Sequence, residues 1–218
     1  MTSTDATTLI EQLAADVRPV RPLRAPAFRA LGALALIALV AGLAILILGD
    51  VAGLRRRYAG REMLLAMEMA AMLATGVLAI AAAFVMSIPG RSRKWIAAPL
   101  PTLALWLLLS GTGCYADLLR PDGSEEAIGE SMHCLLFILA TSAVLAPLLI
   151  WRLSRARPIE PLPVALLGGL GVAAVSALVL QFFHPFAVTF LDLGMHIIGI
   201  LIVVGIVGLL NRRTLAPA

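Results

Sequence analysis

Charge is scarce in this chain: Asp, Glu, Lys and Arg together make up 14% of its 218 residues. Soluble domains carry roughly a quarter. Lysine is almost missing, since sixteen of the seventeen basic residues are Arg and only Lys94 differs. Aromatic residues reach 6%, and no basic block is interleaved with them. That excludes the stacking platform of a single-strand nucleic-acid binder, so the net charge of +4 implies no direct contact with nucleic acid. Two cysteines, Cys114 and Cys134, are too few for a disulfide scaffold or a four-thiolate zinc site. No short apolar leader with a small-residue cleavage site precedes the first long apolar run, so a cleaved signal peptide is not expected.

What is present is grease: 61% of the residues are hydrophobic. A soluble fold of this length would leave much of that surface wet, so the excess calls for lipid. Crossing a hydrocarbon core of about 30 Å takes roughly 20 apolar residues in a helix, the form that satisfies its own backbone. Six segments qualify, Phe28–Leu48, Leu64–Ile88, Trp95–Gly113, His133–Trp151, Leu162–Phe183 and Thr189–Leu210. The expected fold is therefore an all-α, polytopic bundle of six transmembrane helices. Pro99 and Pro101 fall near the start of the third, where a proline loses no intrahelical bond. His184 to Val188 leave room only for a tight hairpin between the fifth and sixth.

Basic residues set the orientation. Twelve lie on the side of the N-terminal tail and five on the other, which places both termini in the cytoplasm by the positive-inside rule. The first helix alone is a tie, four against four. This gives three parts: a tail over residues 1–27, a membrane domain over 28–210 and a short C-terminal tail over 211–218.

The tail has its own design. Thr4 or Asp5 can cap a short helix, and Leu9, Ile10, Leu13 and Val17 then recur at helical spacing, with Glu11, Gln12 and Asp16 elsewhere. A helix of about a dozen residues is marginal alone in water and needs a partner, be it headgroups, the bundle or another protein. Arg18-Pro19-Val20-Arg21-Pro22-Leu23-Arg24-Ala25-Pro26 follows, too rich in proline for helix and suited to a stiff arm that holds the helix about 20 Å off the membrane. A sticky helix on a stiff arm displays a peptide to a soluble partner.

The order of landmarks resembles the NrsF-like membrane anti-sigma factors. They are Leu9-Ile10, Leu13-Ala14-Ala15-Asp16 and Arg18-Pro19-Val20-Arg21-Pro22-Leu23 in the tail, then Pro89-Gly90-Arg91 after the second span. Cys134 opens the fourth span, Arg157-Pro158-Ile159-Glu160-Pro161 forms the next loop, and Gly168, Gly169 and Gly171 begin the fifth. His196 in the sixth span and a terminal Arg212-Arg213 complete the series. The resemblance implies a non-enzymatic regulator in the bacterial inner membrane. Its N-terminal segment (Leu9, Ile10, Leu13, Asp16, Val17) would hold an extracytoplasmic-function sigma factor. It also implies sensing of metals or oxidants through a cysteine pair. Cys134 supplies one member, while His184 before Pro185 stands where the second cysteine is expected.

Within the expected outer half of the bilayer lie Cys114, His133, Cys134, His184, Asp192 and His196. Thiolate and imidazole suit soft metal ions, so Cys114, Cys134 and His184, with His133 or His196, form a candidate metal or redox site; no permanent cofactor is expected. An outer compartment also permits a Cys114–Cys134 disulfide. The plainer reading is that these are helix-end polar groups satisfied by water, headgroups or one another. Small residues of the fifth helix, and Gly194, Gly199, Gly205 and Gly208 of the sixth, read as close-packing positions. Two other functions compete. A transporter or channel would use Glu68, Asp192 and His196, although no half-to-half repeat is visible. A haem carrier would need two of His133, His184 and His196 facing one pocket. No hydrolase, metalloprotease or phosphate-loop motif points to an enzyme.

Overall fold

The computed structural model describes residues 3–15, 22–118, 128–183 and 190–214. Among them regular structure is helical throughout, as apolar runs without strand alternation require. In chain order the helices are α1 (Ser3–Ala15), α2 (Pro26–Leu48), α3 (Val51–Arg57), α4 (Glu62–Met86), α5 (Leu100–Leu118), α6 (Ile128–Ser154), α7 (Pro161–Leu180) and α8 (Phe190–Thr214). A 3-10 turn, Arg93–Ala97, precedes α5. Among the described residues five stretches are long and apolar enough to cross a membrane: Pro26–Leu48, Glu62–Met86, Arg93–Thr112, Met132–Ser154 and Pro161–Leu180. In α8 the described apolar stretch is shorter, Leu193–Leu209.

Several boundaries differ from the sequence reading, each for a local reason. Helix α1 starts at Ser3, so Thr4 and Asp5 lie inside it and do not cap it. Pro26 opens α2, where its missing N–H is no loss, so residues 26 and 27 belong to the helix and not to the spacer. Pro99 and Pro101 cannot donate, which breaks the ladder after Trp95; α-helical bonding resumes where Leu103 N–H meets the Pro99 carbonyl at 3.0 Å. The third span is thus a 3-10 turn followed by a helix. Helix α7 stops at Leu180, short of Phe183, while α8 carries on through residues 211–214 that the sequence reading gave to a tail. The hairpin at residues 184–188 lies outside the described residues.

One element was not foreseen. Asp50 accepts from Gly53 N–H at 2.7 Å and so caps α3, which buries Leu54 and Tyr58 at one end of the bundle. The Asp50 N–H also donates to the Phe182 carbonyl at 2.8 Å, fastening this connection to the end of α7. At the opposite end Arg93 pairs with Glu160 at 2.9 Å, joining the α4–α5 and α6–α7 connections.

Helix α7 is the centre. It packs on α4, α6 and α8, while α5 lies along α4 and α2 along α4 and α6. Glycines let α7 sit so close. A β-carbon at Gly171 would stand 3.2 Å from the Ile80 backbone nitrogen, and one at Gly169 would stand 2.8 Å from Val204 Cα. Gly199 of α8 similarly abuts Leu135 and Ile138 of α6. Among the described residues nothing stands within 4 Å of a β-carbon on Gly194 or Gly205, and one on Gly208 would make only ordinary contact with Leu166.

Candidate functional site

Two places carry chemistry, and the first is the tail. Every described side chain of α1 from Ala6 to Ala15 is exposed. Leu9, Ile10 and Leu13 remain 47%, 66% and 61% accessible, an apolar stripe that the bundle does not cover. Spacings of three and four residues put Leu13 beside both of the others on one face of the helix. Asp16 and Val17, the other expected contacts, lie outside the described residues. Residues 22–25 are exposed and non-helical and run straight into α2.

The second place is a buried polar layer. Glu68 of α4 is 4% accessible, and the Ser110 hydroxyl of α5 donates to its carboxyl oxygen Oε1. His196 of α8, Cys134 of α6 and Gln181 beyond α7 are buried to a similar degree. Ile200 packs against the cluster of Ala71, Met72 and Trp106, and Gly199 abuts Ile138. Stepping back one helical turn along each chain leads from Ile200 to His196, from Met72 to Glu68 and from Ile138 to Cys134. The polar groups therefore share one level of the bundle.

Sharing a level is not convergence. Among the described residues no three His, Cys, Asp or Glu side chains come together as metal ligands. Cys134 is enclosed by Ile138, Leu180 and Phe137, and Phe137 in turn meets Phe183 with ring centroids 4.9 Å apart. Phe183 is the last described residue before the α7–α8 connection, so this apolar pocket lies at the start of that connection. His184 and the side chains of Cys114 and Asp192 lie outside the described residues. His133 is exposed while its neighbour Cys134 is buried, so the two point to different sides of α6. Of the methionines grouped in α4, Met72 fills the core while Met63 and Met67 are exposed.

Sequence reasoning missed the partners that satisfy the buried polar groups. Ser110 answers Glu68, the Thr75 hydroxyl donates to Thr102 Oγ1 at 3.0 Å, and Ser142 and Ser176 hydroxyls meet at 3.0 Å between α6 and α7. A visible signal existed: a lone hydroxyl in an otherwise apolar span must find an acceptor, and the same helix or the next one is the only source.

An apolar helical bundle that leaves a short amphipathic helix and residues 22–25 uncovered defines a class: a helical membrane protein with a presented N-terminal segment. Within that class the chain belongs to the NrsF family, described as negative regulator of sigma F, which it matches over residues 13–216. The match takes in Leu13, Cys134, the glycine run and His196, and begins after Leu9 and Ile10. No curated protein and no solved structure matches the chain.

Proposed function

We propose that the chain is a membrane-bound anti-sigma factor that holds an extracytoplasmic-function sigma factor through its N-terminal segment. The observation that carries this reading is the uncovered Leu9-Ile10-Leu13 stripe of α1, set on an exposed arm in a chain of this family. An apolar stripe on a short helix gains stability only by docking, and a groove on a soluble regulator is a suitable acceptor. The bundle spans the bacterial inner membrane six times, with α8 as the sixth crossing and both termini in the cytoplasm. Residues 1–25 act as the bait and its arm, 26–214 as the anchor and 215–218 as the tail. Sequestration works by mass action: the bound sigma factor cannot reach polymerase.

Release follows from a signal on the outer side, a soft metal ion or an oxidant acting at Cys134 with Cys114 and His184, and with His196 at the same level. Such a signal must favour the releasing state by about 1–3 kcal/mol to switch usefully. The test is co-purification of the full chain in detergent with an extracytoplasmic-function sigma factor from the same genome. Replacing Leu9, Ile10 and Leu13 together by Asp should lower retention by at least about tenfold, since a few apolar anchors dominate such contacts. Retention unchanged by that triple variant would remove the tail from the mechanism.

A further inference from the structure

The end of the bundle where Arg93 meets Glu160 is strongly basic. Over residues 22–29, 87–99 and 151–163 there are eight basic residues and one acid, Glu160. Arg93 already engages that acid. Two of the basic side chains differ from the rest because they turn inward. Arg29, closing the first turn of α2, donates from Nη1 to Ser87 Oγ at 3.4 Å and lies 5.2 Å from the Phe84 ring centroid. Arg152, in the last turn of α6, reaches α2 as well: a β-carbon on Gly32 would stand 3.3 Å from its Nη1. Gly32 is three residues beyond Arg29, on the same face of α2, so Arg152 reaches α2 within about one helical turn of the residue whose guanidinium lies against Ser87 and Phe84.

This juxtaposition is electrostatically incomplete. Among the described residues, Arg29 Nη2 and Arg152 Nε are buried donors with no hydrogen-bond partner. Two like charges lie half-buried at this end of α2, one on its α4 side and one on its α6 side, and the N-terminal end of α2 adds its own positive partial charge. A buried donor left in that state calls for an acceptor, and two guanidinium charges without an acid beside them favour one that carries negative charge. We propose that this end of α2 binds a phosphate-bearing anion, and that its occupant is the headgroup of an anionic phospholipid. Planar guanidinium forks match phosphate oxygens two at a time. Lipid is the favoured source because α2 is open to its surroundings over most of its length, 17% of its apolar window being buried, so a phospholipid can slide along it. Exposed Trp95 and Trp151 stand at the same end, at the level where indole rings favour headgroups. Basic pockets between helices are established headgroup sites.

The experiment uses the full chain in mixed micelles, with fluorescent phosphatidylglycerol and phosphatidylcholine as probes and inorganic phosphate as a competitor. Wild type should retain phosphatidylglycerol about tenfold better than phosphatidylcholine, in line with two basic contacts. Arg29→Gln with Arg152→Gln should abolish that preference, whereas Arg91→Gln with Lys94→Gln, exposed at the same end, should keep most of it. Arg29→Lys with Arg152→Lys, which retains charge but loses the fork, should fall between. Equal retention of the two lipids by wild type, or an undiminished preference in the Arg29/Arg152 double Gln variant, would overturn the site. Displacement of the lipid by millimolar inorganic phosphate would overturn the lipid as its occupant. The wild-type comparison decides the matter even if the double variant does not fold.

Discussion

Helices α2 and α7 are written in the same apolar alphabet and occupy opposite situations. In α2 17% of the apolar window is buried, in α7 72%, although α2 is the more hydropathic of the two. The difference lies in where small residues fall. In α2 Ala30, Ala33 and Ile37 form one narrow buried stripe, while Leu46 and Ile47 face outward and Gly42 touches nothing. In α7 the glycines meet other backbones on two sides, Gly171 against α4 and Gly169 against α8. Hydropathy reports compatibility with lipid. Centrality is reported by small residues spread around a helix, because lipid tails compete with Leu and Ile for any surface but cannot fill a gap between two backbones.

The sharpest way to break this comparison is to give α7 a side chain it has no room for. Gly171→Val would press a branched side chain onto the Ile80 backbone nitrogen and the Gly76 carbonyl, 3.2 and 3.3 Å from the new β-carbon. Backbone on the facing helix cannot swing aside as a side chain can. The expected loss is about 3 kcal/mol, the upper end for overpacking, read as reversible unfolding in mixed micelles. Gly169→Ala, against Val204 Cα, should cost about 1–2 kcal/mol by the same measure. Unchanged stability in both would mean that α7 is not the hub.

Polar seams give a smaller effect. Ser110→Ala deprives the buried Glu68 carboxyl of its donor and should destabilise by about 1–3 kcal/mol, toward the lower end if the carboxyl finds another partner. For Ser142 and Ser176, whose hydroxyls meet at 3.0 Å, a double-mutant cycle to Ala should give a coupling near 0.6 kcal/mol, the usual size between membrane helices. A coupling of zero would make that contact incidental.

The two helices also mark how far the sequence could be read. Long apolar runs located the helices that can cross a membrane, because a membrane helix must close its own hydrogen bonds wherever it packs. The glycine run in α7 was legible as a packing feature, yet Gly194 and Gly205 of α8 look the same in sequence and pack on nothing among the described residues. Which face meets a neighbour is decided by the bundle, not by the residue. The tail stripe at Leu9, Ile10 and Leu13 was legible because helical spacing alone brings it together. Topology put Cys134 and His196 in the same half of the membrane, and they lie at one level of the bundle, but their separation around it depends on helix order. The partner of Glu68 was missed for that reason, since Ser110 sits on the helix that happens to lie alongside. Helix α3 was missed for another: its cap, Asp50, and its buried Leu54 and Tyr58 are visible, but seven residues with three arginines look like a loop.

The smallest predicted effect is the one that tests the lipid side of the comparison. Leu46 of α2 is 80% accessible, so its surroundings in a bilayer are acyl chains. In a water-soluble core a Leu→Ala change removes both apolar transfer and packing and costs about 2–5 kcal/mol. Here the folded and the unfolded but inserted states both leave residue 46 in hydrocarbon, so the transfer contribution cancels and few protein contacts are lost. Leu46→Ala should therefore stay within about 0.5 kcal/mol of wild type in the same mixed-micelle assay. A loss as large as that of Gly169→Ala would show that α2 is covered by something in the membrane, with a second copy of the chain the first candidate to examine by crosslinking at position 46.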